Sequence, residues 1–299
     1  KADWSADLDP FVFTERDGYF YGRGTSDDKN HAAIWIANLI RYKQEGFVPA
    51  RDIVVALTAD EEGGDSNGVK WLLEHHRSLI DADYVLNEGG GGELKDGKAV
   101  AHGVQAAEKK YYSVALDVRN PGGHSSLPRK DNAIYQLAAA LTKLAAFEFP
   151  VELNEITRTF FARMASLETG QTAADMKAVA QPAPDAAAAA RLAAGSPMYN
   201  SMMRSTCVAT QLTGGHAENA LPQQARAVVN CRLLPGADPR EVEQTLKRVV
   251  ADEGIVFTTL WEPVASPASP LRPDLMAAVE RHTTELWPGA IVLPFMSTG

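Results

Sequence analysis

The sequence is poor in cysteine. Its two cysteines, Cys207 and Cys231, do not have the spacing of a metal-binding motif. Each lies in a strand-like segment, where small buried thiols are common. We therefore expect two buried free thiols, and a disulfide between them is the alternative.

The sequence also lacks long apolar runs and a basic surface pattern. No apolar run approaches the length of a membrane-spanning helix, and the amino terminus does not resemble a signal peptide. The 38 acidic residues outnumber the 29 basic ones and there is no basic stripe, which argues against a nucleic-acid-binding protein. We expect neither a membrane nor a nucleic acid as a partner. The location, cytoplasmic or periplasmic, stays open because the amino terminus is expected to be trimmed.

The first hundred residues alternate between helix and strand patterns, which is typical of an α/β fold. Residues 28–45 and 69–76 have apolar side chains at helical spacing, and Gly46 ends the first of these helices. Residues 52–58 form an almost continuous apolar run, typical of a strand buried on both faces, and residues 84–86 predict another short strand. Polar turns follow both predicted strands, at the edge where α/β sheets collect functional residues.

A different pattern begins near Glu108. It predicts a strand, a helix, two strands, a helix and a strand, at residues 110–118, 131–147, 206–212, 225–234, 239–253 and 255–260. Asp238 and Pro239 mark the start of the second helix. This order is that of a ferredoxin-like α+β sandwich. Residues 148–204 have no clear pattern, and the alanine-rich stretch 181–195 fits a helix or a mobile connection.

We therefore predict two domains. Residues 1–107 and 265–299 form a discontinuous α/β domain, and residues 108–264 form an inserted α+β domain. A stretch with three prolines, residues 263–270, marks the return to the first domain.

Acidic side chains occupy three successive turns of the first segment. Asp27 and Asp28 precede the first helix, Glu61 and Glu62 follow the first predicted strand, and Glu88 follows the next. Carboxylates that converge in one cleft repel one another unless cations hold them, which predicts a metal site. The adjacent glutamates can divide the work, one as a metal ligand and the other as a base. Each residue taken alone also fits a helix N-cap or a solvated loop.

Five motifs, in this order, resemble those of the di-zinc aminoacylase and carboxypeptidase family. They read GRGTSDDK, TADEEGG, LNEGG, GGHSSLP and ENALPQQARAVVNCRLLPG, and the resemblance runs from Trp4 to Gly299. The family includes acetylornithine deacetylase, glutamate carboxypeptidase and carboxypeptidase S. The resemblance implies a discontinuous zinc-peptidase-like catalytic domain, with residues 108–264 as a lid or dimerisation domain.

The resemblance also implies roles for the acidic residues. It implies two zinc ions, replaceable by cobalt or manganese, with Asp27 as the bridging ligand and Glu62 and Glu88 as acidic ligands of one ion each. Glu61 matches the general base of the family. Asp28 is expected to support these residues without binding metal.

Three residues of the second domain match substrate-binding positions of the family. His124 matches the histidine that stabilises the oxyanion, which comes from the partner subunit in dimeric members. Asn219 and Arg232 match the pair that binds the free carboxylate of the substrate. Without the resemblance, His124 fits an exposed turn residue and Arg232 a solvated strand face. His31 and the other histidines match no family position and are expected on helix faces or loops.

The implied function is zinc-dependent hydrolysis of an amide or peptide bond next to a free carboxylate, of carboxypeptidase or dipeptidase type. An N-acyl amino-acid deacylase fits the same residues, because both reactions release a free amino acid. A non-catalytic relative is the alternative from another class, although such a protein would lose its acidic residues first. The glycines after Glu88 lack the Lys-Ser/Thr ending of a phosphate-binding loop, which contradicts a phosphotransferase.

The expected partners are a small peptide or N-acyl amino-acid substrate and a second copy of the chain, paired through the inserted domain. The family has a His-x-Asp pair just before the Trp4 region and a further histidine beyond the strand at residues 296–299. This sequence contains no His-x-Asp, so we expect a chain trimmed at both ends that holds metal incompletely by itself.

Overall fold

The structure is a computed structural model that describes residues 3–62, 65–261 and 263–299. Gly63 and Gly64 of the TADEEGG turn, and Glu262 of the predicted inserted domain, lie outside the described residues. The chain divides into two units, Lys1–Glu88 and Gly89–Gly299. None of the described helices combines the length and the hydropathy that a transmembrane span requires.

In its described residues, the first unit contains a hairpin, two α-helices and a 3₁₀ turn. They are β1 (Thr14–Arg16), β2 (Tyr19–Tyr21), α1 (Lys29–Gln44), α2 (Gly68–His75) and the turn Arg77–Leu79. The two helices confirm the helical predictions for residues 28–45 and 69–76. After α1, Gly46 adopts a φ of 69°, which glycine reaches without a steric cost. The side chain of Asn67 caps α2 by accepting a hydrogen bond from Lys70 N.

Two predicted strands of the first unit are not formed. Residues 52–58 and 84–86 have no strand conformation, and Ile53, Val54 and Leu57 are each more than half exposed. A strand needs a neighbour that satisfies its backbone N–H and C=O groups. Among the described residues of this unit, β1 and β2 form the only ladder, so the apolar run has no strand to pair with.

In its described residues, the second unit contains nine strands and seven helices. The strands are β3 (Gly91–Lys95), β4 (Lys98–Glu108), β5 (Lys110–Arg119), β6 (Gly123–His124), β7 (Thr206–Gly214), β8 (Ala220–Leu221), β9 (Gln224–Leu233), β10 (Ile255–Trp261) and β11 (Ile291–Ser297). The helices are α3 (Ala133–Ala146), α4 (Glu155–Met164), α5 (Gly170–Val179), α6 (Ala186–Gly195), α7 (Pro197–Met203), α8 (Pro239–Val250) and α9 (Pro273–Leu286).

Four of these strands form an antiparallel sheet in the order β10-β5-β9-β7. Along the chain, β5, α3, β7, β9, α8 and β10 follow the order of elements that the sequence predicts for residues 108–264. Side chains of the sheet and of α3 and α8 form one core, in which Tyr112, Leu116, Leu137 and Leu246 are at most 1% exposed. Each such side chain contributes about 1.5–3 kcal/mol through burial. A role of this sheet as a lid stays a prediction.

A second sheet consists of β11, β4 and β3, with β11 parallel and β3 antiparallel to β4. The stretch without a clear sequence pattern forms the four helices α4 to α7. α4 packs against β11, and the helices bury Phe161, Met176 and Met203 completely. The two ends of this helical segment meet, because Glu152 N donates a hydrogen bond to Met203 O (2.8 Å).

The two cysteines form a disulfide, so the expectation of free thiols is wrong. Cys207 of β7 and Cys231 of β9 are direct partners across the two strands, with Cα atoms 4.0 Å apart. That distance is slightly shorter than is usual for a disulfide. The sequence places both residues in strands but does not reveal which strands are neighbours.

Reduction of the Cys207–Cys231 disulfide should lower the free energy of unfolding by about 3 kcal/mol, because the unfolded chain then gains the entropy of an open loop. The linked residues are 24 positions apart. Denaturant unfolding of the oxidised and reduced protein measures the difference. The Cys207→Ala/Cys231→Ala variant is the control, and its unfolding should not respond to reductant. Two reactive thiols in the unreduced, unfolded protein would contradict the disulfide.

Candidate active site

The amino-terminal end of α1 carries a candidate metal-binding cluster. Asp28 occupies the N-cap position, yet its carboxylate makes no capping hydrogen bond. It instead contacts Nδ1 of His31, one turn along the helix. One potential ligand atom from each of Asp28, His31 and Glu88 lies within 4.8 Å of the others. Two carboxylates and an imidazole are donors that suit a divalent cation such as Zn²⁺.

The acidic residues of the three predicted turns come together in the first unit. The charge of Asp27, a hydrogen bond to Asp27 and the charge of Glu61 raise the pKa of Glu62. Burial raises the pKa of Glu88, and the hydrogen bond and charge of Asp28 add to this effect, followed by the charges of Glu61 and Asp27. Repulsion between converging carboxylates is the main cause of the raised pKa of Glu62 and adds to the effect of burial on the pKa of Glu88. A bound divalent cation offsets that repulsion, so these residues fit a metal site.

The tightest cluster differs from the predicted ligand set. The family resemblance implies Asp27, Glu62 and Glu88 as ligands, whereas the structure groups Glu88 with Asp28 and His31. His31 lies on a helix face, as expected. That face is turned toward Asp28 and Glu88, a proximity that the sequence did not predict. The sequence feature that indicates this proximity is the spacing of Asp28 and His31, because residues three apart share one face of a helix.

His124 and Asn219 are brought together by a two-stranded ribbon in the second unit. β6 pairs with β8 so that His124 lies opposite Ala220, and Ser125 N donates a hydrogen bond to Asn219 O (3.0 Å). Nδ1 of His124 accepts a hydrogen bond from Ser126 N (3.2 Å) and contacts the Ser126 hydroxyl (2.8 Å). Because Nδ1 acts as an acceptor, the proton of the neutral ring is on Nε2, which leaves Nε2–H as a donor.

Arg232 lies near the carboxyl-terminal end of β9, in a cationic environment. Its guanidinium lies over the ring of Tyr111, 4.7 Å from the centroid. It also contacts Gly299, since a Cβ built on that glycine would lie 2.5 Å from Nη1 of Arg232. The nearby Lys109 is 2% exposed, and burial, together with the charge of Arg232, lowers its pKa to about 7. The guanidinium of Arg232, held over Tyr111, is a donor suited to binding a carboxylate.

Lys109 lies beside Arg232, and its burial is not indicated by the sequence. Its Nζ donates hydrogen bonds to the backbone oxygens of Ser201 (3.0 Å) and Arg204 (2.9 Å) and to the hydroxyl of Thr206 (3.0 Å). These oxygens replace the water that a buried ammonium group loses. Lys109 therefore ties the start of β5 to the end of α7 and to the start of β7. A lysine between two strands gives no sequence signal of such burial, because most lysines are exposed.

The structure does not bring Asn219 and Arg232 together. The pairing of β5 with β9 is continuous over its whole length, and β9 spans roughly 27 Å from Gln224 to Arg232 at about 3.4 Å per residue. The β6–β8 ribbon with Asn219 follows the Gln224 end, where Asn120 N donates a hydrogen bond to Gln223 O (2.9 Å). Binding of one carboxylate by both residues would therefore need a second copy of the chain, and it stays a prediction.

The chain matches the model of Peptidase family M20/M25/M40 over residues 1–299, and it belongs to that family. It is 30% identical over 282 residues to the N-fatty-acyl-amino acid synthase/hydrolase PM20D1 of Bos taurus, a match that covers 88% of this chain and 53% of the relative. It is 27% identical over 296 residues to the probable carboxypeptidase S-like 2 of Dictyostelium discoideum, with 95% of this chain and 56% of the relative covered. The resemblance stated from the motifs is thereby confirmed.

The chain spans about half the length of these curated relatives. Among solved structures it is similar to the M20 family metallo-carboxypeptidase Sso-CP2 from Sulfolobus solfataricus, with a TM-score of 0.61 and 19% identity. That match covers 98% of this chain and 68% of the solved chain. At this identity the likeness shows a shared mixed α/β fold.

The affinity of the chain for Mn²⁺ should fall as the pH is lowered from about 7 to about 4.5, the ordinary pKa of a glutamate, because protons compete for carboxyl groups whose pKa values are raised above it. Calorimetric titration in two buffers of different ionisation enthalpy measures both the affinity and the protons released. Glu62→Gln should release fewer protons, whereas Glu15→Gln on β1 is the control and should match the unaltered chain. An affinity that is independent of pH over this range would contradict the site.

Proposed function

We propose that the protein to which this chain belongs is a metal-dependent hydrolase that cleaves an amide or peptide bond next to a free carboxylate, of carboxypeptidase or dipeptidase type. The observation that carries the proposal is the convergence of five acidic side chains and His31 in the first unit. Membership of the M20/M25/M40 peptidase family supports the reaction class. Two zinc ions, replaceable by cobalt or manganese, are the proposed cofactors.

The ions would be held by the family positions Asp27, Glu62 and Glu88, with Asp28 and His31 as further donors from the cluster. The chemistry that such ions supply when bound is the acidification of a water molecule and the polarisation of the scissile carbonyl group. Every donor named here is a carboxylate oxygen or an imidazole nitrogen, which are common ligands of zinc.

The proton transfers are assigned to Glu61. Its carboxylate takes a proton from the attacking water and returns it to the amide nitrogen that leaves. Glu62 differs because its carboxyl group lies beside Asp27, the proposed bridging ligand, so that a cation bound between them would relieve their repulsion. The two adjacent glutamates therefore have separate tasks.

The substrate contacts are assigned to the second unit. His124 donates from Nε2 to the carbonyl oxygen as negative charge develops there, and its tautomer is set by Ser126 N. Arg232 binds the free carboxylate of the substrate with its guanidinium group, held over Tyr111. Asn219 lies beside His124 and is therefore proposed to reach the substrate from the same side as that residue.

A homodimer would reconcile these contacts. His124 and Asn219 lie beyond one end of β9 and Arg232 near the other, so two-fold pairing can place the first two residues of one chain at the Arg232 of its partner. β7 is an edge strand of its sheet, with Val208 63% and Leu212 66% exposed. Edge strands with exposed apolar side chains favour pairing with another chain.

An N-acyl amino-acid hydrolase is the second candidate. It is favoured by the match to an N-fatty-acyl-amino acid synthase/hydrolase, which covers 88% of this chain. Both candidates use the same residues and leave a free amino acid. Parallel assays of the full-length protein with N-acyl amino acids and with dipeptides distinguish them, since the preferred series has the higher kcat/KM.

Glu61→Gln in the full-length protein should keep the bound metal and lower kcat by about 10²–10⁴-fold, because only the proton transfer is lost. Glu62→Gln should lower both the metal content and kcat, because a ligand is lost. Elemental analysis and steady-state kinetics measure the two effects, and Glu74→Gln on α2 is the control. Equal behaviour of Glu61→Gln and Glu62→Gln would contradict this division of tasks.

Mixing two inactive variants should restore activity if the dimer is arranged as proposed. A mixed dimer of His124→Ala and Arg232→Ala has one site with both residues intact, so random exchange should recover about a quarter of the unaltered activity. Each variant alone, refolded in the same way, is the control. No recovery, with mixed dimers demonstrated by mass spectrometry, would place both residues in the site of one chain or outside the chemistry.

A further inference from the structure

The second unit contains a cavity of about 410 Å³ next to α4, α7 and β11. Its lining is largely apolar and includes Phe160, Met198, Met202, Leu293 and Phe295. Phe160, Met202 and Leu293 are less than 10% exposed, whereas Met198 is 52% exposed. The buried side chains therefore form the floor, and Met198 lies at the rim. The volume is within the range of small-molecule sites.

One wall of the cavity consists of backbone. Residues 89–92 are four consecutive glycines that line the cavity, so that wall has no side chains. A Cβ built on Gly91 would meet no atom within 4 Å, which shows that space remains beside the chain there. This wall therefore presents backbone to a ligand, while the opposite wall is hydrocarbon and thioether.

The surroundings of the cavity indicate the chemistry of its ligand. Ser297 and Thr298 line it, and the following residue, Gly299, contacts the guanidinium of Arg232. At the other end of the lining, Gly89 directly follows Glu88 in the sequence. An apolar cavity beside a cationic side chain is complementary to a molecule with a hydrocarbon part and a carboxylate.

We propose that this cavity binds the hydrocarbon substituent of the substrate, and that Phe160, Met198 and Met202 determine which substituents are accepted. The inference rests on the proposed function, because it assigns a place to the apolar part of a substrate whose carboxylate binds Arg232. The substituent is an acyl chain in an N-acyl amino acid and an apolar side chain in a peptide. Both sources present the same hydrocarbon surface to the cavity.

The size and composition of the cavity limit what it accepts. A liquid water molecule occupies about 30 Å³, so the volume accommodates on the order of a dozen heavy atoms. Methionine side chains adapt their shape, so Met198 and Met202 suit flexible chains of variable length rather than one rigid group. We therefore expect a length limit instead of a strict shape requirement.

The test uses a series of N-acylglycines with acyl chains from acetyl to palmitoyl. Binding to the metal-free protein is measured by calorimetry, and turnover by the metal-loaded, full-length protein is measured separately. Affinity should rise roughly threefold to fourfold per added methylene group and stop rising near ten to twelve carbons. A parallel series of N-acetyl amino acids with lengthening side chains identifies which part of the substrate enters the cavity.

Two variants should move the length limit in opposite directions. Met202→Ala enlarges the floor and should extend the limit to longer chains, whereas Met198→Trp narrows the rim and should shorten it. Met203→Ala is the matched control, because Met203 is equally buried in α7 but does not line the cavity. Should Met202→Ala fail to fold, Met198→Trp at its half-exposed position still decides the question.

The outcomes separate this inference from the proposed function. Length-dependent binding that shifts in the two variants supports the cavity even if no hydrolysis occurs, in which case the hydrolase proposal fails. Hydrolysis without any dependence on hydrocarbon length in either series overturns the cavity while the hydrolase proposal stands. A limit that moves equally in Met203→Ala also overturns it, because the effect would then come from the helix core.

Discussion

The antiparallel pairing of β5 with β9 is the constraint on which the second unit depends. It places alternate side chains of both strands in the core shared with α3 and α8. A slip of one residue would turn every one of these side chains to the other face. The same strand pairing separates Asn219 from Arg232, whereas a second register, that of β7 with β9, aligns Cys207 with Cys231. The core and the spacing of the residues assigned to substrate binding thus depend on the pairing of β5 with β9, and the disulfide depends on the neighbouring pair of strands.

Both units concentrate charge of one sign where folding alone would disperse it. In the first unit the carboxylates of Asp27 and Glu61 raise the pKa of Glu62, and burial, followed by the effect of Asp28, raises the pKa of Glu88. In the second unit Lys109 is buried beside Arg232, and its pKa is lowered to about 7. Like charges held together oppose folding, and such arrangements are typical of sites that bind an ion or a substrate of opposite charge. The two charge clusters suit a cationic metal and an anionic substrate, respectively.

Features that depend on neighbours in the sequence could be predicted, whereas features that depend on distant partners could not. Asp238 predicted the start of α8, and its side chain accepts a hydrogen bond from Arg240 N. The run at residues 52–58 predicted burial, but a strand also requires a partner, which no local pattern supplies. The disulfide of Cys207 and the approach of His31 to the acidic residues were missed for the same reason. The motifs identified the acidic residues, but not which of them share the closest cluster.

The helical segment α4 to α7 begins and ends at neighbouring positions, because Glu152 N, just before α4, donates a hydrogen bond to Met203 O at the end of α7. An excursion with adjacent ends can be gained, lost or exchanged without moving the strands on either side of it. The acidic residues of the first unit and Arg232 lie outside this segment. Changes within this segment can therefore alter the lining of the cavity, while the residues assigned to bond cleavage stay as they are.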